Sequence, residues 1–356
     1  MFEKLYKKIF PIIKFIPPEI AHNLAIKFFS NFKKEIKPDD PILNTRVCNL
    51  QFTNPIGLAA GFDKNGEAFE GLTCLGFGFV EVGTITINPQ YGNKKPRIFR
   101  LSEDKAIINR LGFNNVGAEK VLENIEKSVI ANSSSLLGVN LGKNLDTKDP
   151  FEDYIKLVRI FNKKASYITL NVSSPNTPGL RELEEKDNLD RLVKKISSFK
   201  RKNSINVPVF IKIDPDLSRK KLGDIADIIL SSSIEGIIIS NTSIKRSSDL
   251  VNKNANEKGG ISGLPIKNKS NQLLKDFYIL TNGKIPLIGV GGISTGKDAY
   301  ERILNGASLI QLYTALVYKG PSIVESIKEE LIYLLRKDNY KSIDKAVGKL
   351  NKWKKL

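Results

Sequence analysis

Cysteine and histidine are nearly missing from these 356 residues: Cys48, Cys74 and the single His22 are too few, and wrongly spaced, for a disulfide framework or a Cys/His zinc site, so no metal is expected. The two thiols read as reduced structural groups in a reducing compartment. The apolar run from Ile9 to Ile16 is interrupted by Lys14 and falls far short of the ~20 residues that span a bilayer. No small-x-small cleavage site follows it, and prolines fall where the core of a signal peptide would continue, which argues against a cleaved leader. Acids are also under-represented, 38 Asp and Glu against 56 Lys and Arg, giving a net charge of +18. Such an excess admits nucleic acid, an anionic membrane or a lysine-rich bias as its cause. The basic residues are scattered and mostly lysine, without the aromatic-interleaved or arginine-rich stretches of single-strand binders, so nucleic acid ranks last.

What is present is an ordinary globular composition, 41% hydrophobic and 26% charged, with enough apolar material for one large core and a small appendage. The appendage is expected at residues 1–37, where eight lysines face three glutamates. There Phe2, Leu5, Tyr6, Ile9, Ile12, Ile13 and Ile16 recur at helical spacing, with Pro11 expected to kink or split the helix. After Pro17-Pro18 a second stripe follows, Ile20, Ala21, Leu24, Ala25, Phe28 and Phe32, with Glu19 in its first turn where it complements the helix dipole. The pair reads as an amphipathic helical hairpin. Pattern alone leaves open whether it lies on a membrane surface or packs on the rest of a soluble protein.

From residue 50 onward short apolar β-rich runs alternate with helical patterns. Eight strands are expected, at Ile56–Ala60, Phe79–Gly83, Leu136–Leu141, Tyr167–Val172, Val209–Ile213, Gly236–Ser240, Leu287–Val290 and Leu309–Leu312. Eight such units favour a closed (β/α)8 TIM barrel over an open doubly wound sheet. The barrel is expected to fill residues 38–340, leaving 341–356 as a basic tail. Two stretches after strands, 84–116 and 241–265, are rich in Gly, Pro, Asn and Thr and read as long loops on the C-terminal face, where barrel active sites lie.

Polar residues cluster at the strand ends. Asn140, Asn171, Lys212 and Asn241 would converge on one barrel mouth and hold a polar ligand by oriented hydrogen bonds. Lys212 could equally pair with Asp214 or Asp216. GVGGIS (289–294) and LYTALVYKG (312–320) follow strands seven and eight, where barrels commonly bind phosphate through backbone N–H groups.

The stretches NPIGLAAGFDKNG (54–66), EVGTIT (81–86), PRIFRL (96–101), INRLGFNN (108–115), VNLGKN (139–144), LNVSSPNTPGLR (170–181), NTS (241–243), GGISG (259–263) and GVGGI (289–293) occur together. In this combination, from PEIAHNLA (18–25) to QLYTALVYKG (311–320), the chain resembles class 2 dihydroorotate dehydrogenases. The resemblance implies oxidation of (S)-dihydroorotate to orotate in pyrimidine synthesis, through FMN to a membrane quinone, by a peripheral protein on the cytoplasmic face of a bacterial-type inner membrane. It implies FMN contacts at Ala60, Gly61, Lys64, Thr84, Asn140, Asn171, Lys212, Ser240, Gly263, Gly292, Tyr313 and Thr314. Substrate contacts are implied at Lys64, Asn109, Arg110, Leu111, Gly112, Phe113, Asn171, Asn176, Asn241 and Thr242. Ser174 is the implied base for the C5 proton, with Thr177 as relay, while hydride passes from C6 to flavin N5. Soluble relatives carry cysteine at that position and lack the N-terminal extension. His22, Arg100 and Tyr313 are the implied quinone contacts, at an apolar slot between the two N-terminal helices. Asp214 departs from the small residue usual there and is expected to damp the charge of Lys212. Apart from the resemblance, three readings stay open: a soluble enzyme with another acceptor, a flavin-free barrel for a different phosphate ligand, and a non-catalytic basic binding protein.

Overall fold

A computed structural model describes residues 2–129 and 136–351. Eight parallel strands close into a barrel: β1 Ile56–Leu58, β2 Phe79–Ile85, β3 Leu136–Leu141, β4 Tyr167–Asn171, β5 Val209–Ile213, β6 Gly236–Ile239, β7 Leu287–Val290 and β8 Leu309–Leu312. Each pairs with its sequence neighbour, and β8 pairs with β1 to close the ring. The expected strands all form, with ends shifted by two residues or fewer. Nearly every strand residue is buried, since helices cover the outer face and side chains fill the interior, which is why the strands read as continuous apolar runs. A helix follows each strand, from Phe69–Thr73 after β1 to Ile323–Lys337 after β8.

Large and small residues alternate across neighbouring strands at the N-terminal end of the barrel. A Cβ on Gly57, Gly138 or Gly236 would lie 2.3, 2.2 or 2.2 Å from the ring of Phe79, Tyr167 or Phe210. The freed space lets Phe79, Tyr167 and Phe210 pack edge to face at 6.0 and 5.4 Å. A two-stranded hairpin, Thr45–Val47 with Leu50–Phe52, adds Phe52 at 5.4 Å from Phe79 and closes this floor. The C-terminal end is left for chemistry.

The two long insertions are more ordered than the loops their composition suggests. Ile98–Leu101, Ala106–Asn109 and Gly260–Gly263 form a three-stranded antiparallel sheet, buried around Leu101, Ala106, Ile108, Ile261 and Ile266. Ala106–Asn109 and Gly260–Gly263 come from different insertions, far apart in the chain, so local composition carries no sign of their pairing.

The N-terminal helices are α1, Phe2–Ile13, and α2, Pro18–Ser30. Pro11 sits in the last turn of α1 and does not split it, because the helix ends two residues later and little ladder remains to break. The side chains of Phe2 and Leu5 lie outside the described residues. Glu19 does more than face the dipole: it pairs with Arg97 at 2.7 Å and Lys95 at 3.4 Å, tying α2 to the first insertion. Arg100 donates to the carbonyls of Ile13 and Ile16 and so caps the end of α1. No helix among the described residues is long and apolar enough to cross a membrane. Of the C-terminal segment, Ile343 and Ala346 are buried against the barrel, and residues 352–356 lie outside the described residues.

Candidate active site

A cavity of about 470 Å³ opens at the C-terminal ends of the strands and continues between α1 and α2. Its inner wall brings together Ala60, Gly61, Lys64, Thr84, Asn171, Lys212, Ser240, Gly263, Gly292, Tyr313 and Thr314 from the expected cofactor set. From the substrate set it gathers Asn109, Leu111, Gly112, Phe113, Asn176, Asn241 and Thr242, together with Ser174. Its outer wall holds His22, Arg100, Ile13, Ala21, Ala25 and Phe29.

The polar inner wall is one hydrogen-bonded chain. Glu81, fully buried in the middle of β2, accepts from Asn140 Nδ2 at 2.7 Å, Tyr167 OH at 2.8 Å and Gln311 Nε2 at 2.7 Å. Asn140 Oδ1 accepts from Thr84 Oγ1 at 2.6 Å, and Thr84 Oγ1 in turn accepts from Asn171 Nδ2 at 3.0 Å. Asn241 Nδ2 donates to Asn171 Oδ1 at 3.1 Å and to Ser173 Oγ at 2.9 Å, and Ser173 Oγ donates to the carbonyl of Lys212 at 2.7 Å. Consecutive strands thus orient each other's amides, and the rotamers facing the cavity are fixed before any ligand arrives.

Lys212 is buried, and among the described residues it has no carboxylate within ion-pair distance. Burial lowers its pKa, and the charge of Glu81 opposes that shift. Asp214 does not damp it, contrary to the expectation from sequence: β5 ends at Ile213, and Asp214 turns to Arg181 at 2.7 Å. Asp216 is taken by Lys269 at 2.6 Å and by the Ser243 hydroxyl at 2.6 Å.

Three expected residues stand off the cavity wall. Asn140 lies one layer behind it, between Glu81 and Thr84. Arg110 directs its guanidinium to Glu257 at 2.7 Å and over the ring of Phe99. Thr177 Oγ1 is buried without a hydrogen-bond partner among the described residues, and Ser174 Oγ accepts from the Asn176 N–H at 3.4 Å. Sequence reasoning gave no role to Glu81, Gln311 or Arg181. The available signal for Glu81 was one carboxylate inside the apolar strand FVEVGTI, where a buried charge requires several donors.

Where the inner and outer walls meet, Lys64 Nζ lies 3.3 Å from His22 Nε2. Burial and the neighbouring Lys64 charge hold His22 down to about 3, so the ring is neutral near pH 7. Burial brings Lys64 down to about 8, against the pull of Glu19.

The donors and acceptors on this wall suit a flavin mononucleotide. Among the described residues the Lys212 ammonium has no ion-pair partner, and Gln311 Oε1 is buried without a hydrogen-bond partner. Gly263 and Gly292 have φ of 96° and 74°, and a Cβ on Gly263 would meet the Lys105 carbonyl at 2.4 Å. These two glycines leave bare backbone beside the Ser262 and Thr314 hydroxyls, 2.8 Å apart, with Lys105 and Lys319 on the same cavity. A planar heterocycle over Lys212 and a phosphate at the glycine loops match this donor set. Among the described residues no cluster of His, Cys, Asp or Glu is arranged to hold a metal.

The comparisons agree with this geometry. Residues 42–335 match the family model described as dihydroorotate dehydrogenase. A protein of Rhodospirillum rubrum named dihydroorotate dehydrogenase (quinone) is 45% identical over 347 residues, covering 96% of this chain and 94% of its own. The mitochondrial dihydroorotate dehydrogenase (quinone) of Oryza sativa subsp. japonica is 45% identical over 367 residues, covering 95% and 78%. The crystal structure of the Eimeria tenella dihydroorotate dehydrogenase (DHODH) in complex with ferulenol superposes with a TM-score of 0.91 at 39% identity, covering 95% of this chain and 97% of that one. With this identity running through nearly the whole length of both chains and the same barrel in the solved relative, the chain belongs to the quinone-dependent dihydroorotate dehydrogenases.

Proposed function

We propose that this protein oxidises (S)-dihydroorotate to orotate with bound FMN, and passes the electrons to a membrane quinone that enters between α1 and α2. The observation that carries the reading is one continuous cavity, with Ser174 and the asparagine chain at its inner end and His22 on the apolar slot at its outer end. When bound, FMN supplies the hydride acceptor for substrate C6 and the donor to quinone. Ala60, Gly61, Thr84, Asn171, Lys212 and Ser240 would hold its ring system, Asn140 would act from behind, and Gly263, Gly292, Tyr313 and Thr314 would hold its phosphate end. Lys212 contributes a fixed positive charge where negative charge accumulates.

Asn109, Asn171, Asn176 and Asn241 each carry a donor and an acceptor, which suits the amide edges of a planar pyrimidine, and Lys64 matches its carboxylate. Ser174 Oγ takes the C5 proton while its own proton leaves through Thr177, whose unpaired hydroxyl has capacity for a bridging water. With His22 at the slot, no imidazole stands beside Ser174 to serve instead.

The α1–α2 hairpin supports membrane docking as well as quinone entry. Ile12, Phe15, Leu24 and Phe28 are more than half exposed on it, amid the eight lysines of the first 37 residues. The reading includes a place on the cytoplasmic face of a bacterial-type inner membrane, whose anionic leaflet would attract the lysine-rich hairpin.

The test is spectroscopic. Protein purified in mild detergent is yellow and bleaches when dihydroorotate is added without oxygen. In Ser174→Ala the colour stays and bleaching slows roughly 10²- to 10⁴-fold, the usual worth of a positioned base. A colourless protein contradicts the cofactor assignment, and full-speed bleaching of the variant contradicts the base.

A further inference from the structure

Behind the cavity wall three loops meet on one guanidinium. Arg181, in the turn that follows Ser174, donates from Nε to the carbonyl of Ser173 at 3.2 Å and from Nη2 to the carbonyl of Thr242 at 3.3 Å. Its Nη1 pairs with Asp214 Oδ2 at 2.7 Å, just past the end of β5. The loops after β4, β5 and β6 are thereby bolted to one planar group, whose fork fits two carbonyls and a carboxylate together. The acid side is itself fixed: Asp214 accepts the Asp216 N–H at 2.8 Å and donates its own N–H to Glu184 at 2.8 Å. Asp216 holds the third loop by accepting from the Ser243 hydroxyl and the Ile244 N–H.

Ser173 and Thr242 are immediate neighbours of the proposed base and of the proposed substrate contact Asn241. A shift of either carbonyl therefore moves Ser174 relative to the substrate ring. We propose that Arg181, anchored by Asp214, is a positioning residue that sets the separation between the Ser174 loop and the Asn241-Thr242 loop, aligning the base with the C5 proton. This rests on the reading of Ser174 as base. Burial, with the adjacent Asp214 charge adding to it, brings Glu184 up to about 8, while burial brings Asp214 up to about 6 against the pull of Arg181, so near neutral pH Glu184 holds its proton and Asp214 is the anion for Arg181. Asp214 thus serves the base loop and leaves Lys212 alone.

The experiment measures dihydroorotate oxidation by the holoenzyme, with hydrogen or deuterium at C5, in Arg181→Ala, Arg181→Lys, Asp214→Asn, the Arg181→Ala/Asp214→Asn double variant and Ser174→Ala. Misalignment of about 1 Å predicts roughly a 10- to 100-fold fall in kcat for Arg181→Ala, with KM changed far less. The C5 isotope effect grows, because proton transfer becomes slower than the later steps. Arg181→Lys recovers part of the loss, and the double variant loses no more than Arg181→Ala, because the two residues act as one unit. Asp214→Asn keeps shape and volume and gives the same signature, more weakly, if Arg181→Ala fails to fold. An unchanged isotope effect in both single variants, or additive losses in the double, overturns the proposal. If Ser174→Ala keeps the native rate, the base reading falls and this proposal with it. If Ser174→Ala is dead while the Arg181 and Asp214 variants keep native isotope effects, the positioning role alone is lost.

Discussion

Lys64 stands at the inner end of the quinone slot with its charge opposed by burial and its proton lost near pH 8. As the proposed partner of the substrate carboxylate, it makes kcat/KM for dihydroorotate fall as pH rises through about 8, while Lys64→Met flattens that limb at a lower plateau. Unfolding does not imitate this effect. A lysine whose folded pKa lies below its unfolded value is penalised while charged, so between about 8 and its ordinary value this group adds stability as pH rises. A pH profile taken beside a thermal melt separates the two; a profile flat through pH 9 contradicts the assignment. At this scale the sequence was legible where motifs name residues, as with Ser174 and the asparagines. It misled where the chain neighbour is not the spatial neighbour: Asp214 sits two residues from Lys212, yet the chain turns there and the acid meets Arg181 from another loop. Glu81 went unassigned because its three donors come from β3, β4 and β8.

Among the elements, the barrel strands carry the most readable pattern, since a parallel strand buried on both faces needs a short apolar run and leaves little choice of structure. In the antiparallel sheet of the insertions the pairing of Ile108 with Ile261 was not readable, because the two residues lie in different loops far apart in the chain. The glycines of the floor yield a prediction about how an element tunes the site above it. A methyl on Gly138 collides with the Tyr167 ring, whose hydroxyl donates to Glu81. Gly138→Ala should cost about 1–3 kcal/mol by overpacking, seen as a lower Tm, and should loosen flavin binding as the Glu81 chain shifts. An unchanged Tm and unchanged flavin affinity would show that the floor relaxes without disturbing the wall. In the hairpin, replacing Leu24 and Phe28 with serine is expected to weaken sedimentation with anionic vesicles at least tenfold, as roughly 3 kcal/mol of apolar contact is lost. Activity towards a soluble quinone analogue in detergent should persist, since both side chains are more than half exposed. Equal vesicle binding by the variant would count against docking through this face.

For the whole molecule, the division of labour follows from the barrel itself: aromatic packing closes the N-terminal end, and the insertions and hairpin build a two-ended cavity over the other. The fold class and the hairpin could be read from periodicity, and the chemistry from motif combination. Continuity of the cavity from Ser174 to His22 was implied by the family resemblance alone, because it depends on Arg100 and Arg97 fastening α1 and α2 to the first insertion. That continuity is the central claim, and rapid mixing of the two half-reactions tests it most directly. Ser174→Ala blocks the inner end, and Ala21→Phe fills the slot lined by Ala21, Ala25 and Phe29. Ser174→Ala should lose bleaching by dihydroorotate yet, once reduced chemically, be reoxidised by quinone at the native rate, whereas Ala21→Phe should bleach normally and reoxidise slowly. Normal quinone reoxidation in Ala21→Phe would contradict the claim, placing quinone entry elsewhere on the barrel.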